Sequence, residues 1–297
     1  MTSFCGIELA HPVVNGSGTF DAIAARRVFG DALLADFPFA AFVSKTITLE
    51  ARVGNPPPRL FETPAGMINS IGLPNKGLRG YLEHDLPELA ELPVPLITNV
   101  MGSTAAEVSA LVEAVGEQDA VAAIELNVSC PNVRTGLDIG ADPGVLGAML
   151  AEVRPRTSKP LIVKLTPNTA DVALVAEAAE AAGADAVSLI NTLRAYAPHP
   201  RRRDAPWLGN ATGGLSGPAI RAVALAQVRA VAARVEIPVV GMGGVASAGD
   251  ATNLLDAGAT LVAVGTASFR DPALAGRIAG ELLQNAAKSG DIHGCAP

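Results

Sequence analysis

Eight short aliphatic runs that alternate with helical patterns constrain the fold of this chain more than any other feature. The runs are rich in Val, Ile, Leu and Ala and span residues 12–15, 40–45, 95–100, 122–128, 161–165, 186–191, 237–241 and 261–265. Amphipathic helical periodicity follows several of them, at residues 104–115, 171–182, 218–233 and 248–257. This alternation predicts an α/β fold, a (β/α)8 TIM barrel, with a doubly wound open sheet as the alternative.

Length and composition agree with one barrel domain spanning residues 1–297. A barrel takes about 250 residues, so the chain leaves room for a few insertions. Apolar residues make up 49% of the chain and aromatic residues only 4%, so the core has to be built from aliphatic side chains. Parallel strands that are covered by helices have such cores.

Charge and cysteine content exclude several classes of protein. The formal net charge of −7 argues against non-specific binding to nucleic acid. No apolar run reaches the roughly 18 residues of a membrane span, and the N-terminus lacks the pattern of a secretory signal. The three cysteines, Cys5, Cys130 and Cys295, form no disulfide framework or metal-binding motif. We therefore expect a reduced, cytoplasmic protein that binds neither metal, nucleic acid nor membrane.

Two connections are too long to be simple loops between a strand and a helix. They lie at residues 48–93 and 193–217, so the expected barrel carries long insertions after strands 2 and 6. Both leave from the carboxyl end of a strand, where the active sites of barrels lie. At the other end of the molecule, residues 4–9 alternate weakly and predict one strand that covers the barrel bottom.

Polar side chains interrupt the aliphatic runs at one end. Lys45, Asn99, Asn127, Lys164 and Asn191 each lie in or just after one of the second to sixth runs. Burying a lysine or an amide without a partner costs several kcal/mol, so five such residues converging on one rim need a common explanation. They predict a functional pocket at the carboxyl rim of the barrel.

The seventh and eighth runs end in glycine-rich turns, at residues 241–245 and 265–267. In barrels these two positions form the usual phosphate site, because exposed backbone N–H groups can bind an anion there. The first turn also matches a dinucleotide fingerprint, Gly241-x-Gly243-x-x-Ala246, but the acidic residue expected about 20 positions later is missing. We therefore expect a phosphorylated ligand rather than a Rossmann-type NAD site.

Cys130 lies in the loop after the fourth run. A free cysteine is by default an inert apolar residue. At a barrel mouth near lysines and amides, however, a thiol can act as a base or a nucleophile, and we expect such a role for Cys130. Cys5 and Cys295, near the termini, are expected to be inert.

A set of ordered motifs carries a resemblance to a known family. The motifs are NGSG at 15–18, SKT at 44–46, GNPPPR at 54–59, NSIGL at 69–73, NVSCPN at 127–132, NT at 191–192, TGGLSG at 212–217 and GMGG at 241–244. From about residue 5 to residue 275 the chain resembles the dihydroorotate dehydrogenases, and among them the catalytic subunits of the NAD-linked class 1B.

The resemblance implies that FMN is the phosphorylated ligand of the single barrel domain. The glycine turns would hold its phosphate through backbone donors, with Gly217 closing that side. Lys164 would lie beside N1 and O2 of the flavin, where a fixed cation stabilises developing negative charge. The implied FMN-binding set is Ser17, Lys45, Thr46, Asn99, Asn127, Lys164, Ile190, Gly217, Gly243, Gly244, Gly265 and Thr266.

The resemblance also implies that dihydroorotate is oxidised to orotate in the de novo synthesis of UMP. Cys130 would be the catalytic base, taking the proton from C5 while a hydride leaves C6 for N5 of the flavin. Lys45 would pair with the substrate carboxylate, and asparagine amides would bond the pyrimidine edge. The implied substrate-binding set is Lys45, Asn69, Ser70, Ile71, Gly72, Leu73, Asn127, Asn132, Asn191 and Thr192.

The class of the enzyme determines its partner. A cysteine base distinguishes this chain from the membrane-bound class, which uses serine, and the segment 212–220 resembles the NAD-linked class. In that class electrons leave through a separate subunit that carries FAD and a [2Fe–2S] cluster, and the family implies a homodimer or a heterotetramer with that subunit. The alternatives are the fumarate-linked class 1A, a flavin barrel like dihydropyrimidine dehydrogenase, and a non-redox phosphate-binding barrel. The electron acceptor, the oligomeric state and the roles of Trp207 and of Arg201, Arg202 and Arg203 stay open.

Overall fold

The structure is a computed structural model that describes residues 1–128, 139–202 and 204–292. Within these residues the strands are β1 (Thr2–Phe4), β2 (Ile7–Leu9), β3 (Val13–Asn15), β4 (Phe42–Val43), β5 (Leu60–Thr63), β6 (Gly66–Asn69), β7 (Leu96–Val100), β8 (Val121–Asn127), β9 (Leu161–Lys164), β10 (Ala186–Leu189), β11 (Leu193–Tyr196), β12 (Thr212–Ser216), β13 (Val239–Met242) and β14 (Leu261–Val264). The α-helices are α1 (Ala22–Phe29), α2 (Asp31–Ala35), α3 (Gly77–Gly80), α4 (Leu86–Leu89), α5 (Ala105–Gly116), α6 (Pro143–Val153), α7 (Val172–Ala181), α8 (Arg221–Ala232), α9 (Ala248–Asp256) and α10 (Leu274–Ile292).

Eight parallel strands form a barrel. Their hydrogen-bonded order is β3-β14-β13-β10-β9-β8-β7-β4, and each of the eight aliphatic runs of the sequence contains or overlaps one of them. Their side chains are almost entirely buried, as expected for strands packed inside the ring and against the surrounding helices. The predicted (β/α)8 barrel is confirmed, with β4 and β10 as the strands that precede its two long insertions.

One side chain bridges the seam between the first and last strands of this order. The carboxamide of Asn15 accepts a hydrogen bond from the Val43 backbone N–H and donates one to the Val43 carbonyl, each 2.8 Å long. The Ala40 N–H donates to the Val13 carbonyl at 2.9 Å beside it. Because the ends of the sheet meet here, the alternative of an open doubly wound sheet is wrong.

A short antiparallel hairpin of β1 and β2 covers the barrel bottom. Its buried residues Phe4 and Leu9 pack against side chains inside the barrel, among them Val14 and Ile162. Residues 4–9 therefore cover the bottom as predicted, but the prediction of one strand is wrong. Cys5 turns the chain back with a positive φ of 50°, so the second half pairs with residues before it.

Several helices begin at residues whose side chains cap them. Thr104, Asp171 and Ser247 each accept a hydrogen bond from a backbone N–H in the first turn of α5, α7 and α9. The predicted helix at 218–233 begins differently, as a 3-10 turn at Pro218–Ile220 that continues into α8. These caps set where each helix leaves the carboxyl end of the preceding strand.

The two insertions form a second sheet together. Its order is β11-β12-β6-β5, with antiparallel pairing throughout, and β6 and β12 come from different insertions. The register places Asn69 opposite Gly214. Two segments that are far apart in sequence are thereby neighbours: one carries the predicted substrate residue Asn69, and the other ends at the predicted FMN residue Gly217.

Candidate active site

The predicted rim residues of the central strands lie side by side. Lys164 and Asn127 end β9 and β8 and are paired in the strand register, and Asn99 on β7 is paired with Glu125. Lys164, Asn127 and Asn99 are all buried. The expectation that these side chains converge at one rim of the barrel is met in the structure.

A chain of polar contacts extends this cluster across the barrel mouth. The Ser17 hydroxyl donates to the Ser44 carbonyl at 2.8 Å and lies 3.3 Å from the Thr46 hydroxyl. The Asn127 amide donates to that Thr46 hydroxyl at 3.5 Å, and the Asn191 amide donates to the Asn127 side-chain oxygen at 3.5 Å. Side chains from the first, second, fourth and sixth barrel strands therefore share one network.

Glu125 is a buried charged residue of this cluster that the sequence analysis did not select. Its carboxylate is buried on β8, and Asn99 donates to Oε1 at 2.5 Å while Ser188 donates to Oε2 at 2.7 Å. The Lys164 ammonium lies 3.9 Å from Oε1. A carboxylate inside an aliphatic run, two positions before Asn127 and hence on the same face of the strand, is the signal that could have found it.

The side chain of Asn99 offers an acceptor to a ligand. Its amide N–H group is used on Glu125, while its Oδ1 atom is buried and has no hydrogen-bond partner among the described residues. An unpaired buried carbonyl costs free energy, so such an atom at a pocket wall points to a donor that arrives with a ligand.

Lys45 differs from the other rim residues because its side chain is exposed. It follows β4, and its Cγ atom lies 3.9 Å from the position that a Cβ atom would take at Gly18. Lys45 is thus exposed beside the loop after β3.

The loop from Asn69 to Leu73 is braced by the first insertion. The Asn55 amide donates to the buried Ser70 hydroxyl at 3.0 Å, and the Ser70 N–H donates to the Arg59 carbonyl at 2.8 Å. At Gly72, φ is +75° and a Cβ atom would lie 2.4 Å from the Asn55 backbone nitrogen, so glycine is required. Ile71 and Leu73 flank this turn, and their backbone groups are held in place with it.

Thr192 packs against the second insertion. Its N–H donates to the Asn191 side-chain oxygen at 2.8 Å, and its carbonyl accepts from the Asn168 amide at 3.0 Å. A Cβ atom at Gly214 would lie 1.9 Å from the Thr192 hydroxyl oxygen, so strand β12 approaches this closely only because residue 214 is glycine. Asn168, which the sequence analysis did not select, supports the position of Thr192.

The glycine turns meet at the opposite side of the mouth. A Cβ atom at Gly244 would lie 2.9 Å from the Gly217 carbonyl oxygen, and one at Gly217 would lie 3.6 Å from the Thr266 methyl group. A Cβ atom at Gly243 would lie 3.3 Å from Cγ1 of Ile190, so this side chain is also close to the turn. The predicted phosphate residues after β13 and β14 are therefore brought together with Gly217, and Gly265 immediately precedes the 3-10 turn Thr266–Phe269.

Asp250 holds the first of these turns against α8. Its carboxylate accepts hydrogen bonds from the Ala246 N–H at 3.1 Å and from the Arg221 guanidinium at 2.5 Å. The turn at Gly243 and Gly244 is thereby fixed before any ligand binds.

The predicted base Cys130 and the predicted substrate residue Asn132 lie outside the described residues. The residues on either side are described: the Gly140 N–H donates to the Val128 carbonyl at 3.0 Å. The chain thus leaves the carboxyl end of β8 at Val128 and is back beside it at Gly140. Cys5 is described, and burial raises the pKa of its thiol to about 12, which keeps it protonated.

Membrane-crossing helices and metal-binding groups are both absent from the described part of the chain. None of its helices combines the length and apolar character that a membrane crossing requires. Likewise, the described His, Cys, Asp and Glu side chains form no group of three or more that could hold a metal ion.

The fold and the rim define the class: a (β/α)8 barrel with a buried polar cluster and a pair of glycine turns at the carboxyl ends of its strands. The family model described as dihydroorotate dehydrogenase matches residues 1–285, and this chain belongs to that family. The resemblance inferred from the sequence motifs is confirmed.

Curated relatives cover almost the whole chain, and three of them are named dihydroorotate dehydrogenase B (NAD(+)), catalytic subunit. The protein from Citrifermentans bemidjiense is 46% identical over 280 residues, which cover 94% of this chain and 90% of the relative. The protein from Pelobacter propionicus is 46% identical over 278 residues, covering 93% and 90%. The protein from Geobacter sulfurreducens is 43% identical over 286 residues, covering 96% and 92%.

Proposed function

We propose that this protein oxidises (S)-dihydroorotate to orotate with bound FMN, in the de novo synthesis of pyrimidines. The observation that carries the proposal is the convergence of Asn99, Asn127 and Lys164 at the barrel rim that also carries the glycine turns, in a chain that belongs to the dihydroorotate dehydrogenase family. The names of its relatives support the same substrate.

The residues present fit FMN. The unpaired Oδ1 atom of Asn99 can accept a hydrogen bond from an N–H group of the flavin ring. Gly217, Gly243 and Gly244 have positive φ angles and leave no room for Cβ atoms, as a backbone cradle for a phosphate requires. Thr266 adds the N-terminus of a short helical turn at the same place.

When bound, FMN supplies an acceptor for the hydride that leaves C6 of the substrate. Lys164 places a fixed positive charge where negative charge develops during this transfer. Ser17, Thr46 and Asn127 lie in one network and can orient the ring and the ribityl chain. Ile190, which is buried beside Gly243, gives the pocket an apolar wall.

The substrate is held by groups around the open side of the mouth. Lys45 is exposed there and can pair with the substrate carboxylate. The amides of Asn69, Asn127 and Asn191 can donate to and accept from the pyrimidine edge. The backbone from Ser70 to Leu73 and the Thr192 hydroxyl complete the substrate pocket.

The proton at C5 needs a base, and on the sequence resemblance we assign that role to Cys130, with Asn132 as a further substrate ligand. As the C5–H bond breaks, the thiolate takes the proton, while the two electrons of the C6–H bond leave as a hydride. A positioned base of this kind is worth about a hundredfold or more in rate.

The electrons then have to leave the barrel. We propose that they reach NAD through a partner subunit with FAD and a [2Fe–2S] cluster, in a heterotetramer built on a homodimer of this chain. The term "catalytic subunit" in the names of the relatives supports a partner. Turnover with NAD that requires the co-expressed partner supports this route, and turnover of the lone protein with fumarate contradicts it.

The decisive experiment is an anaerobic titration of the purified protein with dihydroorotate. We expect a visible flavin spectrum that bleaches stoichiometrically as dihydroorotate is added, with orotate as the product. A protein without a flavin spectrum that also binds no added FMN contradicts the proposal. Bleaching by dihydrouracil but not by dihydroorotate would instead indicate a dihydropyrimidine dehydrogenase-like enzyme.

A further inference from the structure

Glu125 is a buried charge that the mechanism above does not use. It lies on β8 in the interior of the barrel, and 3% of its surface is exposed. Burying a carboxylate is unfavourable unless its oxygens are paired, and a neutral aliphatic side chain would continue the run of the strand at no such cost. Its presence at this position therefore needs a reason beyond packing.

The partners of Glu125 come from three other strands of the barrel. Asn99 on β7 donates to Oε1 at 2.5 Å, Ser188 on β10 donates to Oε2 at 2.7 Å, and the ammonium of Lys164 on β9 lies 3.9 Å from Oε1. All three partners present donors, and an ionised carboxylate is the side chain that only accepts hydrogen bonds. The site is built for a negative charge.

Two of these partners face the proposed flavin. Because Glu125 accepts from the amide N–H group of Asn99, the Oδ1 atom of Asn99 is left to face a ligand. Glu125 also restrains the Lys164 ammonium, which is nearly as buried as the carboxylate itself. The Glu125 carboxylate thus sets the orientation of the Asn99 acceptor atom and the position of the Lys164 ammonium.

On the basis of the proposed function, we propose that Glu125 is a positioning residue that tunes the bound flavin. It holds Asn99 and Lys164 in place, and its negative charge offsets part of the positive charge of Lys164. Adding electrons to a ligand near a negative charge is less favourable, and in a pocket shielded from water this effect is only weakly screened. Glu125 therefore lowers the midpoint potential of bound FMN.

The test is the midpoint potential of FMN in Glu125→Gln, a substitution that keeps the shape and removes the charge. We expect a rise that corresponds to about a tenfold gain in relative binding of the reduced cofactor, which is about 30 mV for a two-electron couple. The matched control is Glu177→Gln on the outside of α7, where Glu177 pairs with Arg234 at 2.7 Å. It removes the same charge far from the pocket and should leave the potential unchanged.

An unchanged potential in FMN-loaded Glu125→Gln would overturn this inference, since a residue needed only for packing has no effect on that quantity. Glu125→Gln leaves the Lys164 ammonium without its carboxylate partner and for that reason can fail to fold. In that case Lys164→Gln is compared with the double variant Lys164→Gln/Glu125→Gln, since neither contains the unpaired lysine. The double variant should then have the higher potential of the two, and equal potentials would also overturn the inference. The proposed function fails separately, when the unmodified protein binds no FMN.

Discussion

Single side chains orient other side chains throughout this pocket. The Asn99 amide is turned by Glu125, and the Asn191 side chain links the Thr192 N–H with Asn127. Amides can present either end to a ligand, so a fixed partner on one end determines what the other end offers. Which donors and acceptors the rim side chains present therefore depends on residues such as Glu125, which hold those side chains from behind.

Cys130 is the residue whose loss should slow the chemistry most directly. In Cys130→Ala we expect flavin reduction by dihydroorotate to slow by about a hundredfold or more, because no positioned group takes the C5 proton. Stopped-flow absorbance under anaerobic conditions measures this rate. Cys5→Ala serves as the matched control and should reduce at the unmodified rate, since the Cys5 thiol is at the barrel bottom. Equal rates in both variants would remove Cys130 from the mechanism.

Tyr81 couples stability to alkaline pH. Burial raises the pKa of its phenol to about 12, and its hydroxyl lies 2.7 Å from that of Thr98. Because the fold favours the neutral phenol over the phenolate, Tyr81 contributes to the free energy of unfolding. This contribution is complete below the unfolded pKa of about 10 and is lost as pH rises through the folded pKa. The loss between the two pKa values amounts to about 1.4 kcal/mol per pH unit.

The comparison of the unmodified protein with Tyr81→Phe isolates this effect. We expect the stability difference between the two proteins, measured by urea unfolding, to be constant below about pH 10 and to shift against the unmodified protein above it. The high pKa of Cys5 affects both proteins equally and cancels. Parallel stability curves over the whole range would mean that Tyr81 does not titrate as described.

Among the secondary-structure elements, the sheet shared by the two insertions joins distant parts of the proposed substrate pocket. Strand β6 carries Asn69 and strand β12 carries Gly214, and their pairing brings the loop at 70–73 to the side of Thr192. Neither insertion can form this sheet alone. We therefore expect substrate binding to depend on how closely β12 approaches the barrel.

A methyl group at residue 214 should disturb that approach. In Gly214→Ala the Cβ atom would meet the Thr192 hydroxyl at 1.9 Å, so β12 and Thr192 must separate. We expect FMN to stay bound while the KM for dihydroorotate rises about tenfold or more, because small displacements of positioning groups are costly. Gly147→Ala on α6, where a Cβ atom meets nothing within 4 Å, should behave like the unmodified protein. We thus expect the substitution to affect the substrate site and not the FMN site. Loss of FMN in Gly214→Ala with an unchanged KM for dihydroorotate would contradict this expectation.

In the molecule as a whole, the strand pairing of the barrel is interrupted at one place. The hydrogen-bond ladder runs through eight strands but ends at β3 and β4, where the Asn15 carboxamide bridges to Val43. The loops after these two strands carry Ser17 and Thr46, which contact each other across the same seam. Closure of the barrel and the geometry of the pocket are therefore linked through Asn15.

Asn15→Ala should reveal this link. It leaves the Val43 N–H and carbonyl without their side-chain partner in a buried place, and we expect a loss of about 2 to 4 kcal/mol in the free energy of unfolding. Asn253→Ala on the exposed face of α9 is the control and should change stability by less than about 0.5 kcal/mol. Similar urea midpoints for the two variants would show that the seam holds without the carboxamide.

The barrel, its eight strands, its two insertions and the rim to which Lys164, Asn99 and Asn127 belong could all be predicted from the amino-acid sequence. Local periodicity and the parity of residues along a strand carry this information, because the faces of a strand alternate strictly and carboxyl ends of parallel strands share one edge. The family followed from motifs of consecutive residues, which are readable without any contact map.

Contacts between residues far apart in the chain could not be predicted in this way. The sheet shared by the two insertions, the support of Thr192 by Asn168, the bridge of Asn15 at the seam and the pairing of Glu125 with Lys164 all join residues from separate elements. Such contacts depend on strand register and on the space around each side chain, and neither property has a local signature in the sequence. A carboxylate inside an aliphatic run makes Glu125 unusual within its own strand, but its partners become known only once β7, β9 and β10 surround it.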